Sequence, residues 1–65
     1  MTDQEVFEKA SGIVGIEGMT VNERLYVSGL MEIFDKAKRK NKELARLILK
    51  ALKVDLISIN KIIKK

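Results

Sequence analysis

Apolar residues recur along this chain at three- and four-residue intervals, the period of an α-helix, rather than at the two-residue interval of a half-buried strand. Four stretches carry the pattern. The first opens with Thr2 and Glu5, a capping box that satisfies two free backbone donors. Val6, Phe7, Ala10, Ile13 and Val14 then follow on one face. Gly12 weakens that helix by up to about 1 kcal/mol relative to Ala. Gly15 and Gly18, flanking Ile16 and Glu17, predict a turn.

The second stretch opens with another capping box, Thr20 with Glu23, and predicts a helix to about Arg39 or Lys40. Its apolar arc holds Leu25, Tyr26, Val27, Gly29, Leu30, Met31, Ile33, Phe34 and Ala37. That arc spans about 240°, where a surface helix usually shows a stripe from about 100°. The third stretch, Lys42 to Val54, spreads eight apolar residues over about 220°. Asn41 offers a cap between the two, but no Gly or Pro enforces a turn there. A single helix from Thr20 to Val54 is therefore the alternative. In the last stretch Asp55 is an N-cap candidate, and Leu56, Ile59, Ile62 and Ile63 share a face. Lys64 and Lys65 stand at its C-terminal end, where cations suit the helix dipole. The expectation is an all-α fold, a small bundle of three to four helices in one domain over residues 1–65.

Two arcs above 200° exceed what so small a bundle can hide, since only one helix can be apolar nearly all round. The surplus predicts a homodimer, most simply with C2 symmetry, whose shared core completes the fold. The candidate interface is Val27, Leu30, Met31, Phe34, Leu49 and Leu52. Composition sharpens this expectation. Sixty-five residues make a marginal core, and without Cys or His no disulfide or imidazole metal site reinforces it. With 46% hydrophobic residues and no Pro, the chain is too apolar for disorder.

Charge divides the chain. Residues 1–35 carry a net −5 and residues 36–65 a net +9. The basic half can meet an acidic partner (nucleic acid, an acidic protein or an anionic membrane) or the acidic half of another copy. Lys38, Arg39, Lys40, Lys42, Arg46, Lys50 and Lys53 are the candidate phosphate contacts, and they define the runner-up reading, a small basic nucleic-acid-associated protein. Against it, the third stretch offers no aromatic, Asn or Gln base reader. The two main helices are also expected to be too long for a helix-turn-helix, with no Gly at their junction. The plainer alternative is that these lysines solvate a helix end.

Other chemistries are poorly supported. Glu32 and Asp35 share a face but lie within i, i+4 reach of Lys36 and Arg39, which favours solvated ion pairs. Gly12, Gly15 and Gly18 lack both the spacing and the Lys-Ser/Thr of a phosphate loop. Tyr26 and Phe34 are expected in the core. The apolar face of the last stretch is expected to pack inward rather than on a membrane surface, being short and without Trp or Phe. No enzyme, cofactor or metal is expected. Asp3, Glu5 and Glu8 stand where a signal peptide would be cationic and then apolar. Apolar runs never exceed four residues, so no integral membrane insertion and a cytoplasmic location are expected.

The run Met19-Thr20-Val21-Asn22-Glu23-Arg24-Leu25-Tyr26-Val27-Ser28-Gly29-Leu30, continued by Phe34-Asp35-Lys36-Ala37, resembles the opening of a group of short uncharacterised bacterial proteins. The resemblance covers about a third of the chain and brings no activity or binding residue with it. It implies a start near Met19, with residues 1–18 an appended N-terminal helix or arm. The function expected from all of this is a small helical, self-associating protein–protein interaction module.

Overall fold

The computed structural model describes residues 2–63. Five α-helices follow one another: α1 (Asp3–Ser11), α2 (Val21–Ser28), α3 (Met31–Lys40), α4 (Lys42–Ala51) and α5 (Leu56–Ile62), with a 3-10 turn at Ile16–Gly18 between α1 and α2. No strand occurs among the described residues. The all-α class holds, with five helices in place of three to four.

Four of the five helix starts are written in a side chain; α3, which follows Leu30, has no side-chain cap. Thr2 and Glu5 form a capping box on α1, and Thr20 and Glu23 form one on α2. Asn41 accepts from the Leu44 amide at 3.2 Å, and Asp55 from the Ser58 amide at 3.0 Å. These acceptors satisfy amides that the first turn of a helix leaves unpaired.

The helix ends overturn several expectations. α1 stops at Ser11, before Ile13 and Val14, and Val14 is left 91% exposed. The expected Thr20–Lys40 helix breaks at Gly29, which takes φ +75°. The Gly29 amide donates to the Tyr26 carbonyl, and the Leu30 amide to that of Leu25. This is a Schellman stop with its apolar pair, Leu25 and Leu30, buried together. Asn41 then ends α3 and starts α4, so the single helix from Thr20 to Val54 does not exist.

Those breaks change what the chain hides. α4 lies centrally, against α1, α3 and α5, and buries Ala45, Ile48 and Leu49 at helical spacing, with Leu52 just past its end. Val6 and Ala10 of α1, Leu25 of α2, Phe34 and Ala37 of α3 and Ile59 of α5 join the same core. Of the side chains expected to need a second copy, Leu30, Phe34, Leu49 and Leu52 are buried by their own chain, and Leu47 is half-buried. Leu30, Phe34, Leu49 and Leu52 therefore need no second copy to cover them. Of the two apolar arcs counted as surplus, one is divided between α2 and α3 by the break at Gly29, and the other belongs to α4, which α1, α3 and α5 cover. The radius of gyration, 10.7 Å, equals the roughly 10.7 Å expected of a compact single domain of this length.

Arg24 ties the start of α2 to the end of α4. Its Nε donates to the Met19 carbonyl at 3.1 Å. Its Nη1 donates to the carbonyls of Leu52 at 3.1 Å and Lys53 at 3.2 Å. A cation thus sits at the negative end of α4, on carbonyls without a helical partner.

Candidate functional site

Because the core closes within one chain, the informative surface is the apolar area left outside it. The break at Gly29 turns one side of α2 outward. Tyr26 is 78% exposed and Val27 50% exposed, against the expectation that Tyr26 belongs to the core. With the half-buried Met19 and Met31 they line a shallow, almost wholly apolar shelf on the α2–α3 corner, edged by Asn22 and Glu23. Two thioethers beside a tyrosine make an adaptable contact surface. Of the six candidate interface residues, the structure leaves Val27 exposed and Met31 half-buried here and withdraws the other four into the core.

A second apolar depression runs between α1 and α4. Phe7, Ala10, Ile13, Ile16 and Ala51 line it, with Ser11, Lys50 and Lys53 at its polar edge. Two of the candidate phosphate contacts therefore flank an apolar groove. The others go elsewhere. Lys38 lies 5.7 Å from the centroid of the Phe34 ring, near Ile62, within cation–π reach. Arg46 is half-buried and donates to Asn60 Oδ1 at 2.9 Å. Arg39 shares a surface hollow with Glu32, Asp35 and Lys36, the four side chains expected to pair on α3. Lys40 and Lys42 are exposed on either side of the Asn41 corner. Lys42, Arg46 and Lys50 follow one another a turn apart along α4.

The short helices remove one expectation about nucleic acid, since α2 and α3 are 8 and 10 residues long with Gly29 between them. Helix length no longer argues against a helix-turn-helix. Charge does: the first half of α3, where base contacts would fall, exposes Glu32 and Asp35. The membrane face is also spent. Ile59 and Ile63 are buried and Ile62 is half-buried, leaving Leu56 and Ile57 outside at 66% and 69% exposure. No helix among the described residues is long and apolar enough to cross a membrane.

Three carboxyls are perturbed, all at helix starts. The Thr2 amide, then its hydroxyl, holds Glu5 below the usual carboxylate range, and Thr20 does the same for Glu23. Ser58, through its hydroxyl and then its amide, lowers Asp55. Each shift comes from capping hydrogen bonds to the charged form. No group of three or more acidic residues suited to a metal ion occurs among the described residues.

Comparison with protein-family models, with curated proteins and with solved structures gave no match in any of the three.

Proposed function

We propose that the chain is a self-associating protein–protein interaction module that works through the α2–α3 shelf. The observation that carries this reading is the exposure of Tyr26 and Val27 beside Met19 and Met31, on a chain whose core needs nothing more. Tyrosine and methionine are enriched in protein contacts, where they contribute apolar area. The shelf is small, so the association belongs to the weak, transient class rather than to permanent dimers.

Sedimentation across a wide concentration range tests it. The average mass of the wild-type chain should rise with concentration, and Tyr26→Gln with Val27→Gln should hold it at one chain while far-UV circular dichroism and Tm stay unchanged. A wild-type mass of one chain at every concentration would overturn the reading.

The nucleic-acid reading keeps an exposed run from Lys38 to Lys42, but the half-burial of Arg46 against Asn60 and the place of Lys50 and Lys53 at the edge of an apolar groove count against it. It requires retention on heparin that collapses between about 50 and 200 mM salt. Retention unchanged by charge reversal at Lys40 and Lys42 would remove it.

A further inference from the structure

The shelf and the groove share no residue, and their rims differ in sign. The charged side chain lining the shelf is Glu23, whereas those lining the groove are Lys50 and Lys53. We propose that the chain associates head-to-tail, the α2–α3 shelf of one copy seated in the α1–α4 groove of the next. The proposal rests on the self-association argued above and adds which surfaces meet.

Charge selects this arrangement over a symmetric pair. Shelf against shelf would bring two Glu23 carboxylates together, and groove against groove would bring two pairs of lysines together. Like charges in an interface disfavour docking. Shelf against groove instead seats Tyr26 and Val27 on Phe7, Ile13 and Ala51, and brings Glu23 within range of Lys50 and Lys53. Glu23 is suited to that role because its Oε1 accepts from the Thr20 amide at 2.8 Å, which holds the carboxylate in place. A contact between two different surfaces leaves one of each free at the ends. It therefore builds open chains or rings rather than stopping at two copies.

Complementation between two blocked variants tests this. Tyr26→Gln with Val27→Gln blocks the shelf, and Phe7→Glu with Lys50→Glu blocks the groove. All four positions are exposed, so each variant should keep the wild-type circular dichroism. Alone, each should associate about tenfold or more weakly than wild type and sediment as one chain. Mixed in equal amounts, they should form a complex of two chains and nothing larger, because one intact shelf meets one intact groove. Glu23→Gln, which retains the hydrogen bond to Thr20, should weaken wild-type association and reduce its salt dependence; this variant serves if either double substitution unfolds. If wild type associates but the mixture stays at one chain, head-to-tail order is overturned and self-association stands. An unchanged response of Glu23→Gln to salt also overturns it. If wild type itself never associates, both readings fall.

Discussion

Two helices of this chain end in the same hydrogen-bonded loop, and only one has a glycine where the backbone turns left-handed. After α2 that position is Gly29, at φ +75°, with the Leu30 amide reaching back to the Leu25 carbonyl. After α4 it is Lys53, at φ +62°, with the Val54 amide reaching back to Leu49. A side chain in that region costs about 1 kcal/mol, because its Cβ crowds the backbone. Lys53 is held there by burial of the pair Leu49 and Val54 and by the Arg24 guanidinium on its carbonyl. Lys53→Gly should therefore stabilise the fold by about 0.5–1 kcal/mol, after allowing for glycine's greater freedom when unfolded. In a domain of this size that raises Tm by about 2–8 °C. Gly29→Ala should move Tm the other way by a similar amount. A methyl group there would meet nothing within 4 Å, so the whole cost lies in the backbone. Thermal unfolding of both variants checks the pair, and a lower Tm for Lys53→Gly would show that the lysine stem contributes more than the strain costs.

Helix starts and helix stops differ in how openly they are encoded. Both Thr/Glu capping boxes and the Asp55 cap are legible in the sequence, and all three form. A cap is a local device, complete within four residues, so no tertiary information is needed to read it. These caps also set the response to acid. Their carboxyls have folded pKa values below the ordinary 4.5 for Glu5 and Glu23 and 3.8 for Asp55, so the unfolded chain binds protons first as pH falls. The stability they contribute is complete above those ordinary values and is lost as pH drops through the lower folded ones. Tm should accordingly hold level above about pH 5 and decline below it. Asp55→Asn, which still accepts from Ser58, should make that decline shallower, and a Tm profile against pH with an unchanged slope would show that Asp55 has no part in it. The stops were harder to read. Apolar spacing runs unbroken from Leu25 through Leu30 to Phe34, so Gly29 reads as one small residue in a long arc. The signal present was the pairing of Leu25 with Leu30 around Ser28-Gly29, the apolar pair of a Schellman stop. Lys53 offered no signal, because lysine does not advertise a left-handed turn. The same misreading hid the shelf: on one long helix Tyr26 falls within the buried arc, and only the break at Gly29 turns it outward.

Joining the elements, α4 is the helix on which the other parts of the fold depend, and α1 covers one of its flanks. Half-buried Leu44 and Leu47 line a hollow with Asp3 of α1 and half-buried Ala51 lines the groove with Phe7, while Val6 and Ala10 of α1 and Ile16 of the following turn are buried with the core. The run from Met19 suggested a domain to which residues 1–18 are an added arm. The packing instead makes α1 one wall of the interior and of the groove proposed as a docking site. Burying a Val or Ile side chain is worth about 1.5–3 kcal/mol, so losing Val6 and Ile16 removes roughly 3–6 kcal/mol. A domain of this length has a total stability of roughly 3–10 kcal/mol. The fragment from Met19 to Lys65 should therefore lack a cooperative thermal transition and show reduced far-UV helical signal, even though Arg24 can still reach Leu52 and Lys53 within it. The comparison that decides the point is Val6→Ala in the full chain. If α1 belongs to the core, that variant keeps a cooperative transition at a clearly lower Tm, in line with the fragment's collapse. If residues 1–18 are an arm, both the fragment and Val6→Ala unfold at the wild-type temperature.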